Sequence, residues 1–128
     1  MRPIEFRAFS MEHNMYMVGF GVLPVEYTEK EFGYENEIIL FTEFNGEIRC
    51  ISETVGQFTG LKDKNGKKIF EGDIGWDEHN ECYGVVKFEE GKFLYVWENI
   101  AEDLREVADS IEIYGNIHEN PDLLEVAE

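Results

Sequence analysis

The segment Trp76–Cys82, with the sequence WDEHNEC, gathers more reactive side chains than any other part of the chain. Its carboxylates, imidazole and thiol are the side-chain types that bind divalent metal ions. A zinc site needs three or four donors that converge on the metal, and clustering along a sequence does not provide that convergence. His79-x-Glu81 matches half of the zinc-deaminase signature, but the Pro-Cys-x-x-Cys half is missing. We therefore interpret the segment as a solvated acidic loop.

An alternative interpretation is a small hydrolase or nuclease-like enzyme assisted by a divalent metal. Acid-rich loops bind Mg²⁺ through one or two carboxylates together with substrate phosphates. The residues that would form this metal or reactive loop are Asp73, Asp77, Glu78 and His79.

Other catalytic signatures are missing from the sequence. No serine lies in Gly-x-Ser-x-Gly, neither Cys50 nor Cys82 has an activating motif, and there is no glycine-rich phosphate-binding signature. Asp63-x-Asn65 is similar to the start of a calcium loop, but Ile74 stands where the bidentate glutamate is required. We therefore predict no catalytic residue and no cofactor, and expect the protein not to be an enzyme.

The charge of the chain limits the partners that it can bind. Twenty-eight acidic and eleven basic residues give a net charge of −17. Residues 65–128 carry seventeen of the acids but only five of the bases. Phosphate backbones are bound mainly by Lys and Arg side chains that displace counterions, so direct nucleic-acid binding is disfavoured. An acidic surface could instead occupy the DNA-binding site of another protein by imitating phosphate charge.

Aromatic residues lie on two neighbouring predicted strands. Tyr83 is on the first, and Phe93, Tyr95 and Trp97 are on the second. Such a set could stack bases or a small ligand, as in proteins that bind single strands. We favour the simpler interpretation, in which these side chains form core and cross-strand pairs.

Short strands separated by turn residues must position all of these groups. The alternation in Ile4–Phe9 predicts a half-buried strand, and Met15–Phe20 predicts the second strand of a hairpin. Asn-Gly dipeptides at 45–46 and 65–66 predict two further hairpins with type I′ turns. Strands over Tyr83–Phe88 and Lys92–Trp97 flank a fourth turn.

One segment follows a helical period instead. Between Asn99 and Asp109 the apolar residues recur at i, i+4, i+7 and i+8, with Asn99 as the N-cap and Glu102 completing a capping box. A second short helical turn is predicted after Pro121. The fold class is therefore α+β, mainly antiparallel β, with a small curled sheet or barrel-like core and one amphipathic helix near the C-terminus.

The size of the chain and its cysteines predict one domain, 1–128, in the cytoplasm. A chain of 128 residues with 43% hydrophobic residues can bury a core without disulfides, so both cysteines are expected to be reduced thiols. The longest apolar stretch, Met15–Val25, is interrupted by Gly and Pro and falls well short of the about 20 residues that span a bilayer. We therefore expect no membrane association.

Two sequence blocks carry a resemblance to a known family. They are Gly56–Ile74, reading GQFTGLKDKNGKKIFEGDI, and Gly115–Leu124, reading GNIHENPDLL. With the opening strand IEFRAF, they resemble the YopX family of phage and prophage proteins. The resemblance implies a small β-rich cytoplasmic protein carried on mobile genomes, and it transfers no catalytic residue.

The middle block has a sufficient explanation in turn chemistry, because Asp63 can bond nearby backbone amides and Gly72-Asp73 can reverse the chain. The alternative is a loop that contacts a partner, formed by Asp63, Lys64, Asn65, Gly66 and Lys67. From the family resemblance and the absence of an assembled catalytic motif, we expect a non-enzymatic phage accessory protein that acts by contact with a host or phage protein. Because exposed sheet edges must be covered or paired, we also expect a homo-oligomer.

Overall fold

The computed structural model describes residues 4–25 and 37–124. Within these residues the chain is mainly β, which confirms the predicted fold class. The strands are β1 Phe6–Ser10, β2 Met15–Gly19, β3 Gly21–Val25, β4 Glu37–Phe41, β5 Glu47–Ile51, β6 Gly56–Lys62, β7 Lys68–Phe70, β8 Asp73–Asp77, β9 Cys82–Glu89, β10 Lys92–Trp97, β11 Ile100–Asp103 and β12 Ile111–Asn116. The helix α1 spans Leu104–Val107, and short 3₁₀ turns span Ser52–Thr54, Ala108–Ser110 and Pro121–Leu124.

Contacts divide the chain into two compact units, Met1–Phe58 and Thr59–Glu128. In the first unit, β1 and β2 form the predicted antiparallel hairpin, and β3, β4 and β5 form a three-stranded antiparallel sheet. Alternate residues of these strands point to one face and close a small core. The buried members of this core are Ala8, Ile38, Leu40, Ile48 and Cys50.

The second unit contains a five-stranded sheet in the order β11-β10-β9-β8-β12. The pairing of β12 with β8 shifts register between Ile113 and Gly115, and such bulges bend a sheet. One face of this sheet packs into a core that also takes in residues of α1 and β7. The buried members of that core are Ile69, Val86, Phe93, Tyr95, Leu104, Ala108, Ile111 and Ile113.

The predicted helix exists but begins later than its apolar period indicated. Ile100–Asp103 pairs with β10 as strand β11, and Asp103 caps α1 by accepting a hydrogen bond from the Arg105 backbone N–H. The prediction of Asn99 as the N-cap was therefore wrong. Glu98 adopts a positive φ of 51°, which turns the chain back so that Ile100 pairs with Trp97. Pairing along β10 overrides the helical period of these residues.

The two Asn-Gly hairpins are confirmed, but their turn type was predicted wrongly. Each strand pair is joined by five residues, 42–46 and 63–67, in which the glycine has a positive φ and the asparagine does not. A side chain at the start of each loop, Thr42 or Asp63, accepts hydrogen bonds from backbone N–H groups within that loop. Glu90-Gly91, with φ values of 51° and 82°, has the two positive φ angles of a type I′ turn.

Candidate functional site

Asp63 organises the segment that was predicted as a partner-contact loop. Its Oδ1 accepts hydrogen bonds from the backbone N–H groups of Asn65 and Lys67, both at 2.9 Å, and its Oδ2 accepts one from Ile113 at 2.8 Å. Burial by itself would raise the pKa of Asp63, but these three donors and the charge of Lys67 hold that pKa below its usual range. The predicted bonds from Asp63 to nearby amides are therefore confirmed. The other loop members, Lys64, Asn65, Gly66 and Lys67, are exposed.

Asp73 and Asp77, from the predicted metal or reactive loop, are both buried at opposite ends of β8. Asp73 Oδ2 accepts a hydrogen bond from the Phe70 backbone N–H at 2.7 Å. Asp77 accepts one from the His79 backbone N–H at 2.9 Å and one from the Asn80 side chain at 2.7 Å. Four residue-to-residue steps along an extended strand separate the two aspartates by about 13 Å. Each carboxylate therefore holds its own turn.

Lys64 links the two segments that the sequence analysis singled out separately. Its Nζ lies 3.6 Å from Glu78 and 3.9 Å from Glu112. A polar pocket of about 420 Å³ lies between the segments. Its lining includes Lys64, Asp77, Glu78, His79, Asn80 and Glu102. Within residues 4–25 and 37–124, no three His, Cys, Asp or Glu side chains come close enough together to hold a metal ion.

A second concavity lies on the five-stranded sheet. This aromatic groove, of about 630 Å³, is lined chiefly by Trp76, Tyr83, Val85, Val96, Trp97 and Leu124, together with Cys82 and the exposed Glu81 and Glu98. Trp76 and Tyr83 are register partners on β8 and β9, and their rings meet edge to face with centroids 4.8 Å apart.

The four aromatic residues considered for a stacking platform do not share one surface. Tyr95 is fully buried and Phe93 is 9% exposed, and both belong to the core, which confirms the favoured interpretation for these two. Trp97 lines the aromatic groove and also packs against this core, and Tyr83 forms a cross-strand pair with Trp76. Both therefore also fit the favoured interpretation, although the sequence analysis did not include Trp76. Alternation along the sequence predicts which side chains of one strand share a face. It does not predict that Trp76 lies beside Tyr83, because that depends on the register between β8 and β9.

Ser10 and His13 form a side-chain pair that the sequence analysis missed. Ser10 Oγ lies 3.0 Å from His13 Nδ1 and accepts a hydrogen bond from the His13 backbone N–H at 3.2 Å. The i, i+3 spacing of a serine before a short turn was the available signal. Ser10 is fully buried, whereas a nucleophile must reach its substrate. The pair therefore closes the β1–β2 turn.

The two thiols should differ in reactivity. Burial raises the pKa of Cys50 to about 11, and Cys50 is 2% exposed. Burial also raises the pKa of Cys82, with further contributions from the charges of Asp77, Glu98 and Glu102, but Cys82 is only half-buried, at the start of β9. Iodoacetamide at about pH 8 should therefore modify Cys82 first and slowly, while Cys50 stays protected in the folded protein. Peptide mapping by mass spectrometry measures both sites, and denaturant should make both reactive. Equal rates at the two sites in the folded protein would contradict the prediction.

Comparisons with known proteins bear on the whole chain. A family model described as YopX protein matches residues 5–125. The crystal structure of protein EF1440 from Enterococcus faecalis is similar in fold, with a TM-score of 0.58 and 26% sequence identity, over 98% of this chain and 100% of that chain. No curated protein matches. No helix in the described residues has the length and apolar character needed to cross a membrane.

Proposed function

The chain belongs to the YopX family, and we propose that it is a non-enzymatic interaction module whose carboxylates bind a basic partner protein. The observation that carries this proposal is the distribution of acidic side chains over the second unit. Nine acidic residues described there are exposed: Glu78, Glu81, Glu89, Glu90, Glu98, Glu106, Asp109, Glu119 and Asp122. Such a surface attracts cationic proteins and repels phosphate backbones.

The buried acids of the same unit have a structural role that differs from the binding role proposed for the exposed acids. Asp63, Asp73 and Asp77 accept backbone hydrogen bonds and maintain turns. The exposed glutamates are left to face solvent and partners. Lys64 lies close enough to Glu78 and Glu112 to neutralise part of this charge beside the polar pocket. Complementary charge mainly accelerates association and selects partners, and it does not require a catalytic centre.

In its specific form, the proposal is that the acidic surface imitates DNA phosphate and occupies the nucleic-acid site of a host or phage protein in the cytoplasm. The accessory role in phage follows from the family resemblance. Homo-oligomerisation is part of the same proposal, because β11 lies at an edge of the five-stranded sheet and β3 at an edge of the three-stranded sheet. A molar mass from light scattering that equals one chain would contradict this last part.

Salt should weaken partner capture steeply. The immobilised protein is expected to retain basic proteins at about 0.1 M NaCl and to release most of them at about 1 M, because the Debye length falls from about 10 Å to about 3 Å. Duplex DNA added as competitor should also release them, since both would bind the same basic surface. Mass spectrometry of the eluted proteins gives their identity and charge.

A charge-neutral protein of similar size on the same resin is the control for retention by the matrix. Retention that does not respond to salt, or that selects acidic proteins, would overturn the proposal. Salt-sensitive retention that DNA does not reverse would support a basic partner protein but contradict the proposal that the acidic surface imitates DNA.

A further inference from the structure

We propose that the aromatic groove binds an arginine side chain presented by the basic partner, with the guanidinium over the Trp76–Tyr83 ring pair and between Glu81 and Glu98. This inference rests on the proposed function and identifies the chemical group that such a partner must present. It also assigns the binding to one side of the five-stranded sheet.

The floor of the groove is built by strand register. Side chains alternate between the faces of a strand, and register partners share a face. Trp76 therefore lies beside Tyr83, and Val85 lies beside Val96, on the face opposite Val86 and Tyr95. Tyr83 also meets Tyr114 edge to face, with centroids 5.9 Å apart. The result is an aromatic floor continued by two valines, long enough for a flexible side chain to lie along it.

The charges around this floor favour a cation. Glu81 and Glu98 both have positive φ, near 50°, at turns that bring them to the groove, and both are exposed. Two carboxylates beside an aromatic floor give this end of the groove a negative potential.

Arginine fits this combination better than the other common cationic side chain. Its planar guanidinium is weakly hydrated, stacks on aromatic faces and bonds to carboxylates in a forked geometry, whereas the lysine ammonium is a compact, strongly hydrated charge. Its methylene stem would cover Val85 and Val96. Lys87 also lines the groove, two residues beyond Val85 along β9, so the guanidinium belongs at the Glu81 and Glu98 end.

The test uses a blocked peptide of alternating arginine and glycine, with a lysine-glycine peptide of equal length and charge for comparison. Calorimetry should show that the arginine peptide binds the folded protein and that the double variant Glu81→Gln/Glu98→Gln weakens this binding at least about tenfold. The matched control Glu90→Gln/Glu106→Gln removes the same charge from exposed positions outside the groove, and it should change the affinity less than about threefold.

One further variant places the peptide. Tyr83→Leu should weaken binding in protein whose thermal unfolding remains cooperative. Equal losses for the two glutamine pairs, unchanged binding by Tyr83→Leu, or equal affinity for the lysine peptide would each overturn the arginine site while leaving the proposed function standing. Absence of any salt-sensitive binding by either peptide, together with failed capture of basic proteins, would overturn both.

Discussion

Replacing Asp63 with alanine should lower the free energy of unfolding by about 4 kcal/mol, because one carboxylate satisfies three backbone donors. The bond to Ile113 N–H has the largest consequence. It joins the 63–67 loop to β12, fifty residues away in sequence, and its loss leaves a buried donor without its carboxylate. A hydrogen bond to a charged acceptor contributes about 1.5–3 kcal/mol, and an unsatisfied buried donor costs about 1–3 kcal/mol. Urea unfolding followed by tryptophan fluorescence measures the difference.

The stabilisation that the Asp63 carboxylate provides should depend on pH. Because the folded pKa of Asp63 is lowered, its stabilisation is fully present above the unfolded value of about 3.9 and is lost as the pH falls through the lower folded value. Asp63→Ala should therefore lose most against the wild type near neutral pH and progressively less in acid. Asp109→Ala, at an exposed carboxylate, is the control and should stay within about 0.5 kcal/mol. A difference between Asp63→Ala and wild type that does not depend on pH would contradict this assignment.

The local fold was predictable wherever one strand and its turn carry the signal. Alternation located β1 and β2, and the Asn-Gly dipeptides located two hairpins correctly. The dipeptides did not determine the turn type, because Thr42 and Asp63 offer side-chain acceptors that stabilise five-residue loops with only the glycine at positive φ. Short-range hydrogen bonds from loop N–H groups to these two side chains compete with the two-residue turn geometry.

The groove was harder to predict for a different reason. Its members come from β8, β9 and β10 and from the 3₁₀ turn Pro121–Leu124, so their proximity depends on register and on long-range packing. The start of the helix was predicted wrongly for a similar reason. The apolar period begins at Ile100, but pairing with β10 keeps the chain extended to Asp103 before α1 begins. Patterns within a segment predict the element, while contacts between elements decide its boundaries and build the site.

The second large loss of stability is expected from Gly84→Ala, which adds one methyl group to β9. A Cβ on Gly84 would lie 2.5 Å from Tyr95 Cζ and 2.8 Å from Cε2, inside van der Waals contact. The ring has little room to retreat, because it is fully buried, its hydroxyl donates to the Gly75 carbonyl oxygen at 2.9 Å, and a Cβ on Gly75 would already lie 3.1 Å from Cε1. Overpacking and loss of the hydroxyl bond together predict a loss of about 3 kcal/mol for Gly84→Ala.

Gly21→Ala is the matched control, since Gly21 also lies in a strand, and its added Cβ would meet only Phe41 Cδ2 at an ordinary 3.7 Å. It should be within about 0.5 kcal/mol of wild type or slightly stabilising, because alanine restricts the unfolded chain.

A double-mutant cycle isolates the clash between the added Cβ and the ring of Tyr95. Tyr95→Leu alone opens a cavity, but the double variant with Gly84→Ala should lose less stability than the sum of the two single losses. Additive losses would mean that Gly84 is required for a reason other than the ring of Tyr95. Coupling of about 1 kcal/mol or more would show that glycine is required at position 84 because it leaves room for the ring of Tyr95.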